Sequence, residues 1–365
     1  MSISKNSNRN SWIELFRIIS MLMIIMNHYV VNSDVQSLFQ TGTSNLNQYI
    51  IQILGAWGKT GINCFVLISG YFLIDKVCKP IRAFNLLIEY FFWTIVCFTL
   101  LFFYDRSIIS NYDLLKGLFM PFLTTGFFAV VLYLLLLVPI LNKFITSLSK
   151  KEYLYLLGIL ILYYTLLPSF TKNQHFDYLL WICTVYLIGG FLKIYPIKFL
   201  SKNRILIPLL FISLVVISCF IISISLFYNV DKCYWFVSDA NKIGALVISI
   251  LSFSFFLNLK PIKIKLINLI AGTCWGVLCI HANSEPMREF LWKRLFNNTY
   301  WFNTEYAVLH CISISVIVFS ACSIVVLMYK LVIEEYVLCL FQKIIYSSLK
   351  TLKLLIYREN TKMSD

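Results

Sequence analysis

Charge is scarce in this sequence. Asp, Glu, Lys and Arg make up 13% of its 365 residues, while 59% are hydrophobic, and so little charge excludes a water-soluble globule in favour of a polytopic helical membrane protein. Acid is scarcer than base: 17 Asp and Glu stand against 31 Lys and Arg, for a net charge of +14. That excess does not indicate nucleic acid, because the cations are scattered through short connections between apolar runs, as the positive-inside rule requires. Membrane lipid is the expected partner. The eleven cysteines include no CxxC pair and no His/Cys ligand spacing, which argues against a zinc site and a disulfide frame, so no metal is expected. The polar start MSISKNSNRNS is followed by no small-residue cleavage site, so the first apolar run is expected to stay as a span.

What is there is a series of apolar runs. Ten spans are expected from run length and flanking breakers, at about 12–31, 56–74, 83–103, 118–141, 152–168, 178–195, 205–228, 241–259, 264–282 and 305–329. The fold class is therefore all-α. With the N-terminus in the cytosol, 21 Lys and Arg fall on inner connections and nine on outer ones, with Arg17 in the membrane; both termini are expected inside. Residues 331–365 mix apolar and basic side chains and read as a cytoplasmic amphipathic tail following a transmembrane domain of residues 1–330.

The first span, SWIELFRIISMLMIIMNHYVV, carries Glu14, Arg17 and His28. An ionisable group at a span centre costs roughly 2.5–3.5 kcal/mol on insertion scales, so such residues mark function until a blander account is found. Arg17 could instead snorkel from the inner end with Glu14 as its partner, and His28 could be an interface residue. Eleven residues separate Arg17 from His28, about three full turns, so both share a helix face about 16 Å apart. A joint role requires one extended ligand that touches both. With this topology His28, His281 and His310 lie toward the outer ends of their spans and His175 in an outer loop.

Four stretches, IELFRIISMLMIIMNH, GINCFVLISGYFLI, YLIGGFLK and GTCWGVLCIH, together resemble the membrane-bound acyltransferase family 3, the integral membrane O-acyltransferases of bacterial surface glycans. IELFRIISMLMIIMNH is similar to the family's Arg-x10-His first span, GINCFVLISGYFLI to its SGY-bearing second span, YLIGGFLK to its mid-chain element and GTCWGVLCIH to its late His-terminated span. They occur in the family's order. Where many members carry Arg-x-x-Arg after the second span, this chain has Lys79-Pro80-Ile81-Arg82, which keeps the charges but loses one bidentate guanidinium.

The resemblance implies transfer of an acyl group, most often acetyl, from cytosolic acyl-CoA to a hydroxyl of a surface polysaccharide or lipid-linked oligosaccharide at the cell membrane. On that basis His28 is the expected general base. Arg17, Glu14, Lys79, Arg82, Ser69 and Tyr71 are expected on the acetyl-CoA side, and His281 on the acceptor. An acyl-enzyme on Ser69 stays open. So do bland readings: Ser69-Gly70-Tyr71 and Gly272-x-x-x-Gly276 as helix packing, His281 as partner of an outer-loop carboxylate, and Glu89 as half of a buried pair. A glycan polymerase or a lipid-linked glycan flippase or exporter would also be polytopic and basic inside. An exporter would be expected to show internal repeats, and a polymerase large Arg-rich outer loops; neither is evident.

Overall fold

A computed structural model describes residues 9–39, 44–77, 81–123, 126–171, 177–197, 205–228, 237 and 239–340. Within them every regular element is helical and none is a strand. The long elements are α1 (Ser11–Val31), α2 (Leu46–Gly55), α3 (Gly58–Leu73), α4 (Ile81–Tyr104), α5 (Asn111–Leu123), α6 (Phe127–Thr146), α7 (Lys150–Phe170), α8 (Tyr178–Ile194), α9 (Leu206–Phe227) and α10 (Ile243–Asn258). After them come α11 (Lys265–Ala271), α12 (Cys274–His281), α13 (Glu285–Leu295) and α14 (Ala307–Val332).

Among the described residues seven helices are long and apolar enough to cross a membrane, or eight if the bent pair that runs from Lys265–His281 into Glu285–Leu295 is one span. That is fewer than the ten expected. Helices α8 and α10, at 17 and 16 residues, reach only about 24–26 Å at 1.5 Å per residue, short of the roughly 30 Å hydrocarbon thickness. The apolar run at 118–141 divides, because α6 starts afresh behind Gly126, whose extended ψ of 164° caps the helix. The run at 264–282 breaks at Gly272 and Thr273, and turns by 98° before α13. Of the basic tail, residues 334–340 are helical and 341–365 lie outside the described residues, as do Lys79 and His175.

The core forms around α1, which packs against α2, α3, α10, α11, α12 and α14. Its start is clamped: the Asn10 side chain accepts from Trp12 N, and Ser11 Oγ takes the amide of Ile264 and lies 2.9 Å from Asn268 Oδ1. These bonds satisfy N-terminal amides that an isolated helix leaves open. Along α3, a Cβ on Gly61 would stand 2.7 Å from the Ser20 carbonyl and one on Gly58 2.3 Å from Asn27 Cβ, so glycine lets the two backbones close up.

The same device joins α3 to α8. A Cβ on Gly70 would lie 2.1 Å from Tyr186 O, and one on Gly189 2.5 Å from Leu67 O. The SGY and YLIGG stretches are thus two sides of one helix contact. Polar side chains lock its end: Tyr186 donates to Asn142 Oδ1 on α6, and Asn142 Nδ2 donates to the Leu73 and Lys76 carbonyls at the close of α3. In α7, a π-helical turn at Leu162–Leu166 precedes Pro168, which has no N–H to offer the carbonyl of Tyr164. Asn241 Nδ2 donates to that carbonyl and Lys242 Nζ to the carbonyl of Pro168 itself. Burying the Lys242 ammonium is tolerable because it caps a helix end.

Candidate active site

Helix α1 holds a charged group at one end and an imidazole at the other. At the Ser11 end Glu14 is 4% exposed and accepts from Arg17 Nη1 at 2.9 Å, with Arg9 Nη1 at 3.6 Å. Two guanidiniums on one buried carboxylate leave a local excess of positive charge. The backbone of Arg17 touches α12, whose Cys274 Sγ lies 4.0 Å from its carbonyl. The Arg17 backbone therefore packs beside the break between α11 and α12.

Three turns further, His28 Nδ1 lies 3.1 Å from His281 Nε2. The proton placement follows from the next bond along. His281 Nδ1 sits 2.7 Å from Val277 O, a carbonyl that can only accept, so Nδ1 carries the proton. With both rings neutral, His281 Nε2 accepts the Nδ1–H of His28, and His28 Nε2 is left with a lone pair. This relay fixes the ring's tautomer and aims one basic nitrogen away from α12. The bend after His281 ends the helix on the residue that has to meet α1.

His281 is 0% exposed, with one ring nitrogen on Val277 O and the other on His28. His28 is half-buried. On the neighbouring turn Tyr29 is fully buried, with its hydroxyl 2.8 Å from His310 Nδ1, and the His310 ring stacks on Trp301 at 4.8 Å.

The remaining expected residues are spread along the bundle. Ser69 donates its hydroxyl to Phe65 O of its own helix at 3.0 Å. Tyr71 packs edge-on against Phe253, with Lys193 Nζ 5.0 Å from its ring centre. Phe253 in turn contacts Phe16, which links Tyr71 to the Arg17 end of α1 through two rings. Arg82 is exposed in the first turn of α4, and Lys79 lies outside the described residues.

Glu89, read as half of a pair with an unidentified base, has Lys330 Nζ at 4.0 Å, and that ammonium also donates to Gly272 O. A Cβ on Gly276 would meet Val326 at 2.6 Å and Glu89 Oε1 at 2.8 Å, so Gly276 is a packing position. Among the described residues no three His, Cys, Asp or Glu side chains gather as metal ligands.

A basic imidazole held by a second imidazole, one long helix away from a guanidinium pair, suits transfer chemistry on an extended substrate. Residues 10–329 match the family model of the acyltransferase domain, acyltransferase family 3. The chain belongs to that family. The match ends within α14, so the whole bundle, from the cap of α1 onward, is the acyltransferase domain. No curated protein and no solved structure matches the chain.

Sequence reasoning placed Arg17, Glu14 and His28 on one helix but did not pair His28 with His281, 253 residues away. The available signal was that His28 and His281 each end an apolar run on the same expected side of the membrane.

Proposed function

We propose that this acyltransferase moves an acyl group, most simply acetyl, from cytosolic acyl-CoA to a hydroxyl of a cell-surface polysaccharide or its lipid-linked precursor. The observation that carries the reading is the relay Val277 O, His281, His28, which leaves His28 Nε2 as a free base on the helix that also holds Arg17. Membership of an acyltransferase family favours it over a glycan polymerase or an exporter.

In this reading the nucleotide phosphates of the donor are held at the Ser11 end by Arg17, with Lys79 and Arg82 contributing charge, through charge-assisted hydrogen bonds. Glu14 keeps the Arg17 fork in place. The pantetheine arm runs along α1 for about 16 Å and brings the thioester to His28. The acceptor hydroxyl attacks the thioester carbonyl while His28 Nε2 takes its proton; a C–O bond forms, the C–S bond breaks, and the proton passes to the departing thiolate to give free CoA. His281 holds the imidazole in the required tautomer and shares the positive charge that develops on it.

Ser69, with its hydroxyl committed to its own helix, is a poor nucleophile there, so direct attack is favoured. The 21-to-9 distribution of Lys and Arg supports cytosolic termini, with the Arg17 end inward and the His28 end outward.

The test is the glycan of cells from which this chain has been deleted. A base-labile ester should disappear, return with the wild-type chain and fail to return with His28→Ala expressed at equal level. An unchanged ester content in the deletion strain would refute the reading.

A further inference from the structure

The connection from α10 to α11 runs as an extended strap along the start of α1. Residues 259–264 are not helical, since Pro261 has no N–H to give and holds Lys260 away from helical backbone. Hydrogen bonds fasten the strap in place. Trp12 Nε1 donates to Lys260 O at 3.1 Å, Ser11 N to Ile262 O at 2.9 Å and the Ile264 amide to Ser11 Oγ at 2.6 Å, while Asn268 Nδ2 of α11 donates to Arg9 O at 3.3 Å. We propose that Arg9, Lys260, Lys263 and Lys265 form a site for a phosphate monoester, the ribose 3′-phosphate of the acyl-CoA donor, an assignment that rests on the acyl-transfer reading above.

Charge is the first argument. Residues 9–17 and 259–268 carry Arg9, Arg17, Lys260, Lys263 and Lys265 against a single acid, Glu14. That carboxylate is buried and each of its oxygens has one guanidinium, Oε2 that of Arg17 at 2.9 Å and Oε1 that of Arg9 at 3.6 Å. At the longer distance Arg9 is paired by charge without a hydrogen bond. Among the described residues its planar set of donors is therefore open to a second anion. The Arg9 side chain is 31% exposed and the three lysines are exposed, so such an anion can reach them. Extended backbone sets Lys263 and Lys265 on one side of the strap, about 7 Å apart.

Topology alone does not account for this placement. The positive-inside rule depends on how many cations a connection holds and is indifferent to where they sit, whereas here the backbone that carries them is bonded beside Arg9.

Position is the second argument. Acyl-CoA presents in order its thioester, its pantetheine arm, its pyrophosphate and, at the far nucleoside, its 3′-phosphate. Along α1 the order is His28, then Arg17 about 16 Å away, then Ser11 at about 25 Å, with Arg9 two residues beyond. A donor whose thioester lies at His28 and whose pyrophosphate lies at Arg17 has its last phosphate on the side of Arg9 and the strap. A phosphate monoester carries about 1.5–2 negative charges at pH 7, which suits a cluster of four cations.

The probes are CoA and 3′-dephospho-CoA, which differ by that one phosphate, titrated calorimetrically into the purified full chain in detergent. The wild-type chain should bind CoA about tenfold or more tightly than dephospho-CoA, the scale of a charge-assisted hydrogen bond. Arg9→Gln should remove most of that preference and leave dephospho-CoA affinity near wild type. Lys260→Gln combined with Lys265→Gln should weaken CoA about threefold, as expected for exposed charges, again without effect on dephospho-CoA. Where Arg9→Gln weakens both ligands, the lysine variant decides, because its positions are exposed and fold-neutral.

A preference for CoA that survives intact in both variants overturns the assignment, as does equal weakening of the two ligands in the lysine variant. Lipid headgroups are the other source of phosphate. A wild-type chain that binds CoA and dephospho-CoA equally, yet binds added phosphatidic acid more tightly than the lysine variant does, gives the cluster to lipid and also overturns the assignment. Binding of neither CoA nor dephospho-CoA to the wild-type chain would bring down the acyl-CoA reading itself, and this assignment with it.

Discussion

His28 Nδ1 and His281 Nε2 stand 3.1 Å apart although 253 residues separate them in the chain, and the bond makes one imidazole the orienting group of the other. His281→Ala should therefore lower turnover by about ten- to a hundredfold, less than the roughly 10²–10⁴-fold of losing a general base itself, while leaving both substrate KM values nearly unchanged. His281→Gln, whose side-chain oxygen can accept the His28 Nδ1–H, should recover part of the loss. Steady-state kinetics on protein in detergent decide it. A higher acceptor KM at unchanged turnover would return His281 to the acceptor-binding role first expected from the sequence.

The SGY stretch should respond as packing. A methyl on Gly70 would stand 2.1 Å from Tyr186 O, a backbone atom that cannot step aside, so Gly70→Ala should cost about 1–3 kcal/mol or more by overpacking. Gly158→Ala on α7 is the control, because a Cβ there meets nothing within 4 Å and alanine gains about 0.8–1.0 kcal/mol of helix propensity. Ser69→Ala should leave both stability and transfer near wild type. Thermal unfolding in detergent reads the first two; retained transfer by Ser69→Ala would remove the acyl-enzyme alternative.

Much of this architecture could be read from the chain, and what could not be read has a physical cause. Run length found the helices, because a backbone in hydrocarbon must satisfy its own hydrogen bonds. It overcounted spans, because α8 and α10 are shortened helices wedged against α3, where protein replaces lipid as the apolar surroundings. Helical periodicity found the shared face of Arg17 and His28, since both sit on one unbroken helix. It could not find His281, because the partner is chosen by how α12 ends after the break at Gly272 and Thr273, a tertiary outcome with no period. Glu89 needed a base that no local pattern could locate; Lys330 supplies it from 241 residues further along the chain.

That pair makes a prediction of its own. The Glu89 side chain is 6% exposed and that of Lys330 26%, so removing the ammonium strands a carboxylate that water barely reaches. Lys330→Met should destabilise by up to about 3 kcal/mol, the lower end of the range for a broken buried pair because Lys330 is partly wet. Adding Glu89→Gln to it should restore a good part of that loss. Thermal unfolding of the two single variants and the double variant measures the coupling, and strictly additive effects would dissolve the pair.

The division of labour along α1 can be tested directly. If Arg17 anchors the donor and His28 performs the proton transfer, His28→Ala should abolish sugar modification with acyl-CoA binding nearly intact, since the nucleotide end sits about 16 Å away. Arg17→Ala should weaken donor binding first and lose transfer as a result, the pattern of removed uniform binding. Arg17→Lys should recover only part of the affinity, because an ammonium keeps the charge but not the planar fork that Glu14 orients. Glu14→Gln should be milder than either, since Arg17 keeps its charge and a weaker hydrogen bond to the amide. Acyl-CoA binding to purified protein and ester content of glycan from cells expressing each variant at equal level are the two measurements. Equal loss of donor binding in His28→Ala and Arg17→Ala would mean that both ends of the helix serve one site and that no substrate is stretched between them.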